Sequence, residues 1–446
     1  MFRNLSLNPC SSIRQICSTW AEQKAYYRFL NHSKVTENIL IEEAASRLQS
    51  MVSGRHLLCL QDTSEVNLTA HDNRIKDKTS LGRLDYADYA LGFKIHPCFV
   101  LDAHQFTPLG FADIKLWHRP FDMPGRMERA YRKQSIDNKE SYKWIEGAQK
   151  SKIILQQAQM VTFVQDREAD IYELFCTIPD ERTQLIVRSN FDRNIVEGGH
   201  LKEHLQQQPC AGKHIINLST DKRLNRKKGQ AELEIRFSKI TIKKPNSSHS
   251  KGLNTTQELH VVEAKEINAT NEKDKIYWRL LTSHRVENFD MALQIVEWYK
   301  ARWYIEQLFR LLKSKGFQIE DTELENGAAI RKLCIMMLMA ILKIMQMRLA
   351  YNDTEGEGQP IKEVFTATEI ECLGKVNKKL QGKTIKQRNN YDPNRTKWAT
   401  WIIARLGGWK AYSSQGPPGV IILKKGLERF TFILEGYLLT KDMGTQ

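Results

Sequence analysis

The sequence has few of the features that mark secreted, zinc-binding or membrane proteins. Its eight cysteines lie apart from one another without a CxxC pair, which argues against a zinc site and against a disulfide framework. No apolar run is long enough to span a membrane, no secretory signal opens the sequence and no internal repeat is visible. The most apolar stretch, residues 334–347, is bounded and interrupted by basic residues, so we expect a buried core helix there. We therefore expect a protein of the reducing cytoplasm that does not contact a membrane.

Acidic residues are in the minority. The chain has 446 residues, with 52 Asp and Glu against 67 Lys and Arg, which gives a net charge of +15. A soluble protein this basic is expected to bind a polyanion, although charge alone says nothing about chemistry. A hydrophobic content of 41% is ordinary for a globular protein, and the length suffices for two or three domains.

The hydrophobic pattern predicts an α/β protein with helical ends. Residues 1–48 look helical and carry aromatic and basic side chains, which fits either contact with a DNA backbone or a cap over the core. Residues 56–61 and 160–165 are short apolar runs that predict buried strands, and residues 90–117 predict antiparallel strands. Residues 119–150 are charged and mostly helical, and the final part of the chain, from about 353, is helical again.

From about 183 to 283 the pattern changes to alternating strands. A basic loop at residues 221–229 and a polar, Ser- and Asn-rich segment at 243–256 separate them. This region therefore predicts a mostly β unit inserted into the chain.

One helix is predicted over residues 296–313, because this stretch has no Gly or Pro and is rich in helix formers. At about 100° per residue, five side chains fall within one arc: Tyr299, Arg302, Glu306, Arg310 and Lys313. The opposite side is apolar: Tyr304, Ile305, Leu308, Leu311 and Leu312. The polar face fits a solvated row of ion pairs, or a carboxylate that holds a metal ion beside donors for phosphate.

Two aspartates are candidates to act together with the Glu306 carboxylate. Asp62 and Asp166 each follow a predicted buried strand, at a position where a turn or cap residue is also common. Together with Glu306 they could converge at one edge of a sheet. Mg²⁺ prefers oxygen ligands, and two such ions can activate water and stabilise a leaving oxygen in phosphodiester cleavage. Nearby cations would bind the phosphates of DNA.

The spacing of Tyr299, Arg302, Glu306 and Lys313 reproduces the pattern Y-x2-R-x3-E-x6-K. It resembles the signature of bacterial insertion-sequence transposases of the insertion-sequence-four group, the relatives of the Tn-five transposase. Asp62-Thr63 resembles the first catalytic block of that family, residues 166–170 its second, and residues 406–419 its C-terminal block. The resemblance covers nearly the whole chain, in order.

The resemblance implies an RNase H-like catalytic core at residues 49–352 with a mostly β insertion at about 183–283. Residues 1–48 would be the remnant of a helical DNA-binding domain, and residues 353–446 a helical dimerisation domain. The family's N-terminal domain is usually longer, so recognition of terminal repeats is expected to be affected in this chain.

The resemblance also implies cut-and-paste transposition. Asp62, Asp166 and Glu306 would form a DDE triad that binds two Mg²⁺ or Mn²⁺ ions and acts as an endonuclease, followed by hairpin formation and strand transfer. The partners would be double-stranded DNA, as transposon ends and target, and a second copy of the chain. The residues expected to bind DNA are Tyr299, Arg302, Lys313, Arg310, Arg188 and Trp278. Trp278 would stack on a flipped base, although a strand tryptophan can also fill the core.

Two rival functions remain open at this point. A shortened chain could be a catalytically idle, DNA-binding and dimerising inhibitor of transposition. A general RNase H-like nuclease would cleave without terminal repeats, and the pattern from Tyr299 to Lys313 argues against it.

Overall fold

The computed structural model describes the following residues: 1–10, 12–84, 90–122, 134–218, 229–246, 248, 250, 252–269, 275–352, 356–383, 387–412 and 415–443. Apart from Gly229, the expected basic loop lies outside them. Parts of the charged segment 119–150, the polar segment 243–256 and the C-terminal block also lie outside.

The described strands form one mixed sheet of eleven strands, so the prediction of an α/β protein is confirmed. In chain order the strands are β1 (His56–Gln61), β2 (Ser64–Asn67), β3 (Gly82–Arg83), β4 (Leu91–Asp102), β5 (Pro108–Trp117), β6 (Met160–Gln165), β7 (Thr183–Arg188), β8 (Gly212–Leu218), β9 (Gly229–Lys243), β10 (Thr256–Glu266) and β11 (Tyr277–Thr282).

The sheet changes from antiparallel to parallel and back. Strands β5, β4 and β1 are antiparallel neighbours, and β1, β6 and β7 run parallel to one another. Strand β11 then pairs antiparallel with β7, and β10, β9 and β8 continue as an antiparallel unit. The two buried strands, the antiparallel pair in residues 90–117 and the mostly β region are thus confirmed. The β region also contains one short helix, Leu201–Gln207.

Helices cover the sheet and form both ends of the described chain. They are α1 (Phe2–Leu7), α2 (Trp20–Asn31), α3 (Glu37–Gln49), α4 (Lys143–Ile154), α5 (Tyr172–Thr177), α6 (Leu201–Gln207), α7 (Phe289–Lys300), α8 (Trp303–Arg310), α9 (Gly327–Asn352), α10 (Ala367–Leu380), α11 (Thr396–Leu406) and α12 (Val420–Met443). Helix α9 is the expected core helix, since nearly all of its apolar side chains are buried. Within the described ranges, no helix is long and apolar enough to cross a membrane.

The N-terminal helices lie over the core. Helix α3 packs on β5 and α9, and α1 packs on α9 and α12. Leu5, Leu30 and Leu48 are fully buried in these contacts. Helices α1 to α3 therefore form a cap over the core. The side chain of Trp20 remains 67% exposed, and the Lys24 ammonium lies 3.5 Å from its ring centre.

The prediction of one regular helix over residues 296–313 is wrong in its details. Helix α7 ends at Lys300, and the next turn tightens, because the Arg302 amide donates to the Tyr299 carbonyl at 3.0 Å, three residues back. Helix α8 follows, and a wider π-helical turn covers Leu311–Lys315. Neither change involves Gly or Pro, so composition carried no signal for it. The apolar face was predicted correctly, with Tyr304 half-buried and its other members buried.

A half-buried pair of histidines, His56 and His284, lies near the start of β1, away from its C-terminal end. The Nε2 atoms of His56 and His284 lie 2.9 Å and 2.8 Å from the Thr162 hydroxyl. A hydroxyl has one proton to donate, so at least one of the two neutral rings donates to it. Burial lowers the pKa of His56 to about 4 and that of His284 to about 3.

These histidines predict acid sensitivity. Above about pH 6.5 both are neutral in the folded and the unfolded chain. As the pH falls from there towards 4, only the unfolded chain takes up their protons, and the free energy of unfolding drops. His284 alone contributes a slope of about 1.4 kcal/mol per pH unit. We expect His284→Gln to remove that part of the slope in urea unfolding between pH 7 and 4.5. The matched change at the exposed His32 should leave it unaltered, and an unaltered slope in His284→Gln would contradict the assignment.

Candidate active site

Asp62 lies at an interruption between two strands. The register with β4 continues unchanged from the pair Gln61 and Cys98 to the pair Ser64 and Ile95, which places Asp62 opposite Pro97. Proline has no amide hydrogen, so the ladder of hydrogen bonds is broken at this point. The strand was expected to end here, but pairing resumes two residues later as β2. The Asp62 carboxylate accepts a hydrogen bond from the Thr63 amide at 2.8 Å.

Asp166 follows the neighbouring parallel strand. Leu60 of β1 pairs with Val164 of β6, so the two strands end at the same edge and Asp62 and Asp166 both follow there. The Tyr299 hydroxyl donates to Asp166 Oδ1 at 3.2 Å, and Arg188 Nη1 lies 3.9 Å from the same oxygen. The sequence expectation that the two aspartates share one sheet edge is met.

Arg302 joins the third carboxylate to the first. It stands at the start of α8, where Nη1 donates to Asp62 Oδ2 at 3.2 Å and Nη2 donates to Glu306 Oε1 at 2.5 Å. The Arg302 side chain is 14% exposed, against 25% for Asp62 and 35% for Glu306. One guanidinium therefore bridges two carboxylates that remain open to solvent on one side.

The three carboxylates are close enough to affect one another. Burial raises the pKa of Asp62 to about 6, and the charges of Asp166 and Glu306 add to this, while Arg302 lowers it. Burial alone would lower the pKa of Arg302, but the surrounding phenol and carboxylates outweigh burial and raise it. The cluster is thus a concentration of negative charge with one cation inside it.

Tyr299 does not lie on an exposed face, as the helical arc had implied. It is 3% exposed, and burial, followed by the charge of Asp166, raises the pKa of its hydroxyl to about 12. The ring of Trp278 meets its ring edge-on, with 5.5 Å between the centres. Trp278 is itself half-buried against the core. Tyr299 is therefore a neutral hydrogen-bond donor that fixes the orientation of Asp166.

Arg310 and Lys313 lie apart from the carboxylates. Lys313 Nζ is 3.8 Å from Glu320 Oε1, and Arg310 is exposed at the end of α8. Within the described residues, neither side chain forms an ion pair with Asp62, Asp166 or Glu306. The expected arc holds for Arg302 and Glu306, which are in contact. The π-helical turn that contains Lys313 departs from 100° per residue, and the expected DNA-binding role of Arg310 and Lys313 stays a prediction.

Buried polar groups that sequence reasoning missed lie directly behind the aspartates. Gln61 and Gln165, each one residue before an aspartate, are fully buried, and the Gln165 amide donates to the Gln61 side-chain oxygen. The Thr63 hydroxyl lies 3.0 Å from Nδ1 of the buried His96. A polar residue at the end of each apolar run was visible in the sequence, but the partner was not.

The three carboxylates lie at a charged edge that is partly open to solvent. A cavity of about 1040 Å³ lies elsewhere, between α1, α3 and α9, and none of the three carboxylates lines it. Among the described residues, no three His, Cys, Asp or Glu side chains are arranged to hold a metal ion together. In this arrangement, Arg302 and Arg188 provide positive charge beside the carboxylates.

Comparison with known families identifies part of the chain. Residues 190–343 match the family model described as "Transposase DDE domain". This match is about a third of the sequence, and it contains Glu306, Tyr299 and Arg302 but neither aspartate. The chain is also similar to a solved structure titled "Cryo-EM structure of piggyBac transposase synaptic complex with hairpin DNA", with a TM-score of 0.37 and 9% identity, over 81% of this chain and 67% of that chain.

Proposed function

We propose that this protein is a DDE transposase that cleaves and joins DNA strands with divalent metal ions. The observation that carries the proposal is the meeting of Asp62, Asp166 and Glu306, which lie far apart in the sequence, near the half-buried Arg302. The match of residues 190–343 to a transposase domain supports it. Membership of the bacterial insertion-sequence-four group and the cut-and-paste route through a hairpin are the finer parts of the proposal.

The sheet supports an RNase H-like core. An antiparallel run of β5, β4 and β1, continued by the parallel strands β6 and β7, is the arrangement expected of such a core. The antiparallel unit β8 to β11 then corresponds to the insertion. Residues 1–48, 49–352 and 353–446 are the proposed helical N-terminal, catalytic and dimerisation units.

The carboxylates fit a divalent metal ion by their chemistry. Their oxygens are the ligands that Mg²⁺ and Mn²⁺ prefer. Burial is the main cause of the raised pKa of Asp62, and the charges of Asp166 and Glu306 add to it. The Arg302 guanidinium is the counter-ion of Asp62 and Glu306 in this structure. A bound metal ion would take over that role from the guanidinium. When bound, two such ions would supply an activated water and stabilise the leaving oxygen of a phosphodiester.

The protein's own residues would then hold the ions and the DNA. Asp62, Asp166 and Glu306 bind the ions, and Tyr299 orients Asp166. Arg302 and Arg188 at this edge would bind phosphates, and so would Arg310 and Lys313 further along the same helical segment. Trp278 stacks on a base at the hairpin. The site's exposure suits a polymer, because small-molecule sites usually enclose their ligand, and the net charge of +15 suits DNA.

The test is Mg²⁺-dependent strand cleavage of duplex DNA taken from the sequences that flank the gene. We expect the wild-type protein to bind the DNA as a dimer and to cut at a repeat boundary, and the Asp62→Ala variant to make no cut. Both should bind the DNA in Ca²⁺. Cleavage by both proteins would remove Asp62 from the mechanism, and cleavage at random positions would favour a general nuclease.

A further inference from the structure

Asp170 is a buried carboxylate near the proposed catalytic edge that the mechanism above does not use. It lies four residues after Asp166, and its side chain is fully buried. Its partner, Arg193, is 5% exposed and comes from the segment that follows β7. Two segments far apart in the sequence are thus joined by an ion pair that water hardly reaches.

Every described contact of the Asp170 carboxylate is with this second segment. Its Oδ1 accepts from Arg193 Nε at 2.8 Å and Nη2 at 2.5 Å. Its Oδ2 accepts from the backbone amides of Asn190 at 2.7 Å and Phe191 at 3.0 Å. Arg193 Nη2 also donates to the Asp170 carbonyl at 2.9 Å. We call these two residues the Asp170–Arg193 clamp.

The clamp joins the two loops that leave the parallel strands β6 and β7 at the catalytic edge. One loop begins with Asp166, and the other follows Arg188, whose guanidinium lies 3.9 Å from Asp166. The Ser189 amide in turn donates to the Arg279 carbonyl of β11 at 2.7 Å, beside Trp278. The clamp therefore sets the distance between three strand ends without touching the site itself.

Stability alone is a weak reason for such a pair. Removing two charges from water costs about as much as their attraction returns, and apolar side chains of similar size often serve equally well. What the pair supplies is geometry, because two guanidinium donors converge on Oδ1 and two backbone amides on Oδ2, and charge-assisted hydrogen bonds are directional.

We propose that Asp170 and Arg193 are positioning residues that hold Asp166 where it can bind a divalent metal ion. The proposal rests on the proposed function, and it assigns no contact between the clamp and substrate. Partners that orient a metal ligand without touching the metal typically change affinity by about 10- to 100-fold when they are removed.

The test compares Asp170→Asn, the double variant Asp170→Asn/Arg193→Gln, and Glu369→Gln as a matched control. Glu369 forms a buried pair with Lys343 at 2.9 Å, on α9 and α10 and away from the site. Mn²⁺ affinity, urea unfolding and amide exchange of the 186–193 segment are measured in each. We expect Asp170→Asn to unfold more easily, exchange faster at Asn190 and Phe191, and bind Mn²⁺ at least about tenfold more weakly.

The double variant separates positioning from stability. It has no unpaired buried charge, so we expect its stability to recover while its Mn²⁺ affinity stays low. Glu369→Gln should lose stability and keep the wild-type affinity. Wild-type Mn²⁺ affinity in a folded Asp170→Asn or double variant would overturn the positioning role alone. Failure of the wild-type protein to bind Mn²⁺ would instead overturn the proposed function, and this inference with it.

Discussion

Glu306→Gln is expected to lower strand cleavage by about a thousandfold or more, which corresponds to a barrier roughly 4 kcal/mol higher. The amide keeps the shape of the side chain but is neutral, so it is a poor ligand for a hard divalent ion. Glu306 has no other described ion pair than that with Arg302. We therefore expect the fold and the DNA affinity to change little.

The measurement is single-turnover cleavage of a repeat-end duplex in Mg²⁺, with a gel-shift titration in Ca²⁺ beside it. Glu297→Gln is the matched control, because Glu297 lies on α7, pairs with Lys300 at 2.7 Å and makes no contact with the carboxylate cluster. Loss of cleavage in Glu306→Gln with normal cleavage in Glu297→Gln is the expected result. Cleavage retained in Glu306→Gln would exclude Glu306 from the triad, and a common loss in both variants would point to damage to the helix.

The parts of this site that follow a local pattern could be predicted from the sequence. Apolar runs that end in a polar residue predicted β1 and β6, and thereby the shared edge of Asp62 and Asp166. The apolar face of the helix after Val296 predicted the burial of Ile305 and Leu308. Each of these depends on residues within a few positions of one another, which is the range over which periodicity carries information.

The contacts that determine the geometry and burial of the site join residues that are far apart in the sequence. The place of Pro97 opposite Asp62 depends on the register of β4, about 35 residues further along the chain. The burial of Tyr299 depends on the packing of Trp278, and the clamp between Asp170 and Arg193 depends on β6 and β7 being neighbours. Register and sheet order are set by the whole core, so neither could be predicted from a spacing within one segment.

Arg302→Gln is expected to destabilise the metal-free protein at neutral pH and to make it unusually responsive to divalent ions. The guanidinium bridges Asp62 and Glu306, so its removal leaves charged carboxylates facing one another. Breaking a buried pair costs about 3–5 kcal/mol, and the solvent exposure of Glu306 reduces this to roughly 2 kcal/mol. A divalent ion at the carboxylates would restore the missing positive charge, so saturating Mn²⁺ should stabilise the variant more than the wild type.

Urea unfolding at pH 7.5, with EDTA and with Mn²⁺, measures both effects. Arg310→Gln is the matched control, because Arg310 is exposed on the same helix and forms no ion pair with the carboxylates. We expect Arg310→Gln to unfold like the wild type under both conditions. If Arg302 served only to bind DNA, Arg302→Gln would unfold like the wild type in EDTA. The contacts of Arg302 with Asp62 and Glu306 would then contribute nothing to the free energy of unfolding. A variant that is destabilised in EDTA and not recovered by Mn²⁺ would mean that the three carboxylates do not share a metal ion. Recovery by Mn²⁺ would show that guanidinium and metal ion serve in turn as the counter-ion of one cluster.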